Sequence, residues 1–299
     1  MLCHMHTPPL RNGLAASRLQ LPAGPWATML EALAAHFTSV SHSEWQGRFA
    51  RGLVLDAQGQ SLAADARYRE GALIHYYREV PAEAAIPFTE SVLHADAHLV
   101  VADKPHFLPV TPAGAHVQET LLARLIRKLD NPQLVPLHRI DRETAGLVLF
   151  SANPASRAAY QALFRERRIC KHYEALAAPL PQLAWPHTRC SRIVEGTPFF
   201  RMQEVAGTAN SETRIELLSK SESLWRYALT PVTGKKHQLR VHMAALGAAI
   251  HNDALYPVLQ PAAAPQYQQP LQLLAQQLSF IDPLSDEQRG FHSGFALTT

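Results

Sequence analysis

The spacing of apolar residues along the chain predicts alternating helices and strands. The segment "WATMLEALAAHF" carries apolar side chains at near-helical spacing: Met29, Leu30, Leu33 and Phe37. In "SVSHSEWQGRFARG", Ser41 or Ser43 is suited to cap a second short helix that ends at Gly52. The following "LVLDAQGQSLAADARYREGALIHYYREV" reads as short strands around a Gln-Gly turn. This pattern therefore predicts that residues 21–85 form a small unit of their own and that residues 1–20 before it form a flexible tail.

A linker with two prolines, "VPAEAAIPFTE", precedes a second unit over residues 86–299. There "SVLHADAHLVVADKP", "KHYEALAA" and "LWRYALTPV" predict strands, and "TLLARLIRKL" predicts a helix with one apolar face. In "NPASRAAYQALFRERR", Asn153 caps a helix with Pro154 in its first turn, and "HQLRVHMAALG" predicts a helix that ends at Gly247. The C-terminus resembles a hairpin. Strands interleaved with helices predict a mixed sheet.

Composition narrows the class of protein. The chain has 299 residues, of which 47% are apolar and 18% are charged, which is typical of one large or two smaller globular domains. No run approaches the roughly 18 apolar residues of a membrane span. The start shows no signal-peptide pattern, so we expect a cytoplasmic protein without a membrane partner. Cys3, Cys170 and Cys190 are scattered, which argues against disulfides and structural zinc.

The distribution of charge is more informative than the net charge of +3. Residues 1–85 hold seven acidic residues and seven Arg, which cancel. Residues 124–171 instead hold ten Lys and Arg, a density that favours a surface for polyanions over a set of solvated helix faces.

The stretch "VPLHRIDRETAGLVLF" places Asp141 between Arg139 and Arg142, directly before an apolar strand. Together with "ADKPHFLPVTP", "CKHYEAL" and "GKKHQLRVHMAALGAAIHNDALYP", it resembles, in the same order, the pseudouridine synthases of the large ribosomal A type. The resemblance covers residues 90 to 299. It implies an α+β fold with a mixed, largely antiparallel central sheet and flanking helices.

The same resemblance implies an isomerase that converts uridine in RNA to pseudouridine, with Asp141 as the catalytic aspartate. Because this reaction has no redox change and loses no group, a carboxylate suffices, and we expect no cofactor. The sequence does not distinguish attack on the sugar from removal of the C2′ proton. Arg240 matches the position that pairs with the aspartate and keeps it ionised. Tyr173 matches the tyrosine that packs on the flipped-out base.

Further positions are implied to contact RNA. Arg139 matches the residue that enters the RNA stack where the target base has left, and Lys171 shares a strand face with Tyr173. Arg142 is assigned to phosphate from its charge alone. The predicted RNA-binding set is completed by Arg165, Arg167, Arg168, Lys235 and His237. His237 and His242 are five residues apart rather than four, so we expect no metal site.

The first unit resembles, in the order helix, helix and strands, a degenerate S4 RNA-binding domain. Its basic residues on the second helix are reduced to Arg48 and Arg51.

The second unit departs from the pseudouridine synthase family at Phe107, where Gly is usual, and at His251. Both changes affect the expected substrate specificity. Ribosomal RNA of the large subunit is the first expected substrate and transfer RNA the second, and we expect a monomer.

Two alternatives remain from other classes. A non-catalytic RNA-binding or assembly protein on the same fold predicts a broken site, whereas Asp141, Tyr173 and Arg240 are all present. A hydrolase that uses two carboxylates needs a second acid, and Glu143, two residues along a loop, is poorly placed for that.

Overall fold

The computed structural model describes residues 8–11, 15–79, 83–114, 116–261 and 266–298. Its backbone contacts divide the chain into two compact units, Met1–Glu83 with Gly114–Gln118, and Ala84–Ala113 with Glu119–Thr299. Within these described ranges, every helix is too short or too polar to cross a bilayer.

The smaller unit packs two helices on a three-stranded antiparallel sheet. Its helices are α1 (Met29–His36) and α2 (His42–Ala50), and its strands are β1 (Ser17–Gln20), β2 (Val54–Asp56) and β3 (Leu73–Tyr76) in the order β1-β3-β2. Thr28 and Ser41 cap the two helices in reciprocal capping boxes with Glu31 and Glu44. Leu33, Trp45, Val54 and Ile74 form its buried core.

The predicted tail over residues 1–20 is wrong at its end, because Ser17–Gln20 forms strand β1. This strand pairs with β3 from Ser17 opposite Tyr76 to Gln20 opposite Leu73. The hydrophobic pattern missed it since Leu19 is its one apolar residue, and backbone pairing with the edge of β3 decides its conformation. Residues 1–7 and 12–14 of the predicted tail lie outside the described residues.

The larger unit is built on an eleven-stranded sheet. Its strands follow the order β10-β9-β11-β12-β8-β13-β7-β5-β4, with β14 beside β13 and β6 beside β7. Their bounds are β4 (Ser91–Ala95), β5 (Leu99–Lys104), β6 (Val135–Pro136), β7 (Ala145–Ser151), β8 (Cys170–Ala177), β9 (His187–Glu195), β10 (Met202–Val205), β11 (Ser211–Ser219), β12 (Trp225–Pro231), β13 (Leu273–Ile281) and β14 (Gln288–His292). Neighbours pair antiparallel except β13 and β7, which run parallel, so the mixed, largely antiparallel sheet is confirmed.

Three helices accompany this sheet: α3 (Leu121–Leu129), α4 (Pro154–Arg165) and α5 (Gln238–Ala245). Asn153 caps α4 with its side-chain oxygen, and Pro154 occupies the first helical position, as the sequence predicts. The buried side of α4 packs on strands β5, β7 and β13, while α5 packs on the part of the sheet that contains β8 and β12. The two helices thereby frame a stretch of sheet between them.

The sequence pattern did not reveal strands β9, β10 and β11. The reason is visible in β11, where the buried positions Ser211 and Thr213 are polar. Both hydroxyls bond the buried imidazole of His242 on α5, at 3.0 and 2.9 Å. A hydrogen-bonded contact between helix and sheet replaces an apolar one here, so the hydrophobic alternation of a strand is absent.

Candidate active site

Asp141 lies in the loop that joins β6 to β7. The loop begins beside the strand pair, where Leu137 N–H donates to Leu149 O at 2.8 Å and Leu149 N–H donates to the His138 ring at 3.1 Å. It leads into β7, whose second residue, Gly146, has a φ of +112°, and a Cβ there would come within 2.3 Å of the Ala275 carbonyl oxygen. The close approach of β13 therefore requires glycine at position 146.

Lys104 and His106 bind backbone carbonyls of the same loop. The Lys104 ammonium is fully buried and donates to three carbonyls, those of Pro105, Leu108 and Arg142, at 2.7 to 3.0 Å. Its burial lowers its pKa to about 7. His106 Nδ1 lies 2.6 Å from the Glu143 carbonyl oxygen. The sequence analysis assigned neither residue a role, although both lie in the quoted block "ADKPHFLPVTP".

Arg240 contacts Asp141 although 99 positions separate them in the chain. Nη1 of the guanidinium lies 2.9 Å from Oδ2 of Asp141. Arg240 is only 1% exposed, whereas the Asp141 side chain keeps 24% exposure toward the cavity. Asp253, which sequence reasoning did not select, binds the other edge of the guanidinium at 2.6 and 2.8 Å. The block "GKKHQLRVHMAALGAAIHNDALYP" contains it, but only the fold brings it to Arg240.

An open cavity of about 700 Å³ surrounds this ion pair. Tyr173 and Lys171, on the same face of β8, line it together with Asp141 and Arg240. Burial, followed by the charge of Asp141, raises the pKa of the Tyr173 hydroxyl, so that it keeps its proton over the ordinary pH range. Burial also lowers the pKa of Lys171.

The remaining predicted RNA-binding residues divide into two groups. Those that line the cavity are Arg139, Arg142, Arg167, Lys235 and His237. Arg165 and Arg168 are absent from its described lining and pair with Glu166 at 3.3 and 2.9 Å. The cavity therefore has a basic rim, with two further cations on the neighbouring turn.

His237, which is predicted to bind RNA, lies beside the ion pair of Asp141 and Arg240. Its Nε2 is 3.9 Å from Oδ1 of Asp141, and its Nδ1 is 2.9 Å from the Tyr256 hydroxyl. Burial lowers the pKa of His237, which favours the neutral imidazole at neutral pH.

Among the described residues that line this cavity, Asp141 supplies the one carboxylate. Glu143 is bound to the Arg142 guanidinium at 2.8 Å, and the Asp253 side chain is fully buried against Arg240. A single carboxylate in an open cavity with a basic rim is typical of an enzyme that uses one nucleophile or base on a nucleic-acid substrate.

Comparisons with known proteins agree with this class. Residues 98–245 match the family model described as RNA pseudouridylate synthase. The chain is 32% identical to the dual-specificity RNA pseudouridine synthase RluA of Pasteurella multocida, over 67% of this chain and 90% of the relative. It is 31% identical to the protein of the same name from Haemophilus influenzae, over 68% and 91%. The solved structure of human RNA pseudouridylate synthase domain containing 4 superimposes with a TM-score of 0.54 and 27% identity, over 69% and 88%.

The chain therefore belongs to the RluA-like family of RNA pseudouridine synthases. Its activity is that of an isomerase acting on uridine in RNA, and its fold is the α+β fold that the sequence resemblance predicts.

Proposed function

We propose that this pseudouridine synthase modifies large-subunit ribosomal RNA and that Asp141 is its catalytic carboxylate. The observation that carries the assignment is the ion pair of Asp141 with the buried Arg240, at 2.9 Å, inside a cavity that Tyr173 also lines. The ribosomal substrate is supported by the family type, and transfer RNA is the second candidate from the same family resemblance. Two relatives are named dual-specificity enzymes.

The residues divide the reaction as follows. The target uridine leaves its stack and enters the cavity, where Tyr173 packs on the base, and the exposed Arg139 takes the vacated place in the stack. Asp141 then attacks C1′ or removes the C2′ proton, and Arg240 keeps it ionised for either step. In both routes the N1–C1′ bond breaks and the C5–C1′ bond forms. In the first route C5 displaces Asp141 from C1′, and in the second Asp141 returns the proton to C2′. C5 then loses its proton and N1 gains one.

The remaining basic side chains of the rim bind the backbone of the RNA. Arg142, Arg167, Lys171, Lys235 and His237 line the cavity beside the target nucleotide. Arg165 and Arg168 extend this surface outward along the turn after α4. Phosphate contacts of this kind position the substrate without selecting its sequence.

Pseudouridine mapping of total RNA from a strain lacking the gene, beside its parent, tests the substrate. We expect one or a few sites lost from large-subunit ribosomal RNA. Loss only from transfer RNA would establish the second candidate, and no lost site would favour the non-catalytic RNA-binding protein.

Complementation of that strain tests the catalytic residue. Asp141→Asn should restore no pseudouridine, because it keeps the shape of the side chain and removes the anion. Glu143→Gln is the matched control, since Glu143 is the carboxylate two residues away, and it should restore the sites. Restoration by Asp141→Asn would refute the assignment, and failure of Glu143→Gln alone would favour the two-carboxylate alternative.

The smaller unit is proposed to be a degenerate S4-like module that contributes little to RNA binding. Its two remaining candidate cations are both engaged by one acid: Glu79 lies 2.6 Å from the Arg51 guanidinium and 3.9 Å from that of Arg48. Arg48 is also only 7% exposed and stacks over Trp45 at 4.7 Å. Its burial makes Arg48 poorly available to phosphate.

Filter binding over several salt concentrations tests this proposal. Deleting residues 1–80 should weaken RNA binding less than changing Arg165, Arg167 and Arg168 together to Ala, and the triple variant should also show a smaller salt slope. A larger loss from the deletion would make the smaller unit the RNA anchor. We also propose that the protein is a monomer and acts in the cytoplasm.

A further inference from the structure

Asp253 shares the Arg240 guanidinium with Asp141. Its carboxylate receives two bonds, from Nε at 2.8 Å and from Nη2 at 2.6 Å, which is the side-on fork geometry of a strong Arg–carboxylate pair. Asp141 receives one bond, from Nη1 at 2.9 Å. One buried cation therefore lies between two carboxylates, of which only Asp141 reaches the cavity.

The backbone fixes Asp253 independently of Arg240. Its Oδ1 accepts from the N–H groups of Leu255 and Tyr256 at 2.8 and 3.1 Å, and its side chain has no solvent exposure. Since the guanidinium is planar and rigid, fixing the Nε–Nη2 edge also fixes the direction of Nη1.

The direction of Nη1 determines which oxygen of Asp141 is engaged. Nη1 bonds Oδ2, whereas His237 Nε2 lies 3.9 Å from Oδ1, beyond hydrogen-bonding distance. Oδ1 therefore remains available to a substrate in the cavity.

We propose that Asp253 is a positioning residue for the reaction: it aims Arg240 at one oxygen of Asp141 and offsets part of the Arg240 charge. This inference rests on the proposed role of Asp141. A carboxylate that faced the whole charge of a buried guanidinium would be a more stable anion and a weaker nucleophile or base. Asp253 shares that charge and thereby leaves Asp141 a stronger nucleophile or base.

The charged and titratable groups around Asp141 come from several elements. Besides Arg240 on α5, they are Lys104 at the end of β5, Tyr173 on β8, His237 before α5, and Arg142 and Glu143 in its own loop. A substitution at Asp253 changes none of these side chains, so a change in the titration of Asp141 reports on the shared guanidinium.

Asp253→Asn removes the charge and keeps an oxygen for the Leu255 and Tyr256 N–H groups. Asp253→Ser is a second variant that leaves room for water. Asp282→Asn is the matched control, because Asp282 is a 1% exposed aspartate whose carboxylate also pairs with an arginine, Arg289, at 2.8 Å, and accepts a backbone N–H, from Leu284. It lies outside the described lining of the cavity.

Two measurements are made on each full-length variant. The first follows the ¹³C signal of the Asp141 carboxyl against pH in the free protein, assigned by its loss in Asp141→Asn. The second measures tritium release from 5-tritiated transcripts of 23S ribosomal RNA and of a transfer RNA pool, in which loss of the C5 hydrogen reports turnover.

In Asp253→Asn we expect the Asp141 carboxyl to lose its proton at a lower pH than in the wild type, because Asp141 then faces the whole Arg240 charge. We expect kcat to fall about 100-fold with KM near the wild-type value, because a displaced catalytic group slows the chemical step. Asp282→Asn should leave both measurements unchanged.

Wild-type titration and wild-type kcat in both Asp253 variants would overturn the inference. So would failure of both variants to fold while Asp282→Asn folds, since the role would then be structural. If the wild type releases no tritium from either probe, the proposed substrates are wrong, and the carboxyl titration still decides the role of Asp253.

Discussion

At the scale of single residues, neighbouring groups give Tyr173 and Arg240 properties that an isolated tyrosine or arginine does not have. The hydroxyl of Tyr173 keeps its proton because burial and the negative charge of Asp141 both raise its pKa. It can therefore donate a hydrogen bond but is poorly suited to act as a base. Arg240 binds two acids rather than the single one expected from the family motif. Its removal should therefore affect stability as well as the site, since it leaves a buried carboxylate unpaired.

Tyr173→Phe should retain most activity, whereas Tyr173→Ala should lose about 10- to 100-fold in kcat/KM. The reason is that stacking on a base contributes about 1–3 kcal/mol, and Phe keeps the ring. Tritium release from the RNA identified by mapping measures both. Tyr227→Phe is the control, because that hydroxyl bonds Ala178 O at 2.8 Å in the core. Equal rates for Tyr173→Ala and wild type would make Tyr173 structural, and failure of both substitutions would give its hydroxyl a part in proton transfer.

At the scale of elements, the end of α4 places a cation on the cavity rim through its backbone conformation. Arg168 N–H donates to Leu163 O at 2.8 Å and Arg167 N–H donates to Phe164 O at 3.2 Å, the two bonds of a Schellman motif. This motif puts Arg167 at φ +56°, a left-handed conformation that favours glycine. An arginine at this position is strained, and its side chain lines the cavity.

Arg167→Gly should therefore separate stability from RNA binding. We expect stability equal to the wild type or higher by about 1 kcal/mol, because glycine removes the strain. RNA affinity should fall, and the salt slope should decrease by about one, the value for one lost phosphate contact.

Thermal unfolding and filter binding across salt concentrations measure the two effects. Arg167→Lys is the control, since it keeps both the charge and the strain and should bind nearly as the wild type does. An unchanged salt slope in Arg167→Gly would show that Arg167 does not contact phosphate.

At the scale of the whole molecule, several histidines are held in the neutral form inside the larger unit. Burial lowers the pKa of His138 to about 3 and that of His242 to about 4. Burial also lowers the pKa values of His106 and His237. Below pH 6.5 the unfolded chain binds protons at these imidazoles while the folded chain does not. Their contribution to stability is therefore present above pH 6.5 and is lost as the pH falls toward 4.

We expect the unfolding midpoint to decrease steadily between pH 6.5 and pH 4. Differential scanning calorimetry across this range measures it. His242→Gln should be less stable at neutral pH and show a shallower decrease, because one of the depressed imidazoles is gone. His292→Gln, at an exposed position on β14, should leave the decrease unchanged. A midpoint independent of pH in this window would contradict the neutral, buried histidines.

The sequence by itself determined the elements whose signal is local. Helix α4 is specified by its Asn153 cap, Pro154 and apolar spacing, and α3 by one apolar face, since capping and amphipathic periodicity act within a few residues. The order of the four motif blocks was sufficient to predict the family and its fold. It also selected Asp141, Tyr173 and Arg240, which the structure brings to one cavity.

Only the tertiary structure decided what depends on distant neighbours. Strand β11 has polar buried positions because His242 lies over it, and β1 exists because β3 offers an open edge. Asp253 has no local pattern that marks it, and its place beside Arg240 comes from the turn after α5. Hydrogen bonds and ion pairs between separate segments leave no periodicity in the sequence, whereas capping and apolar faces do.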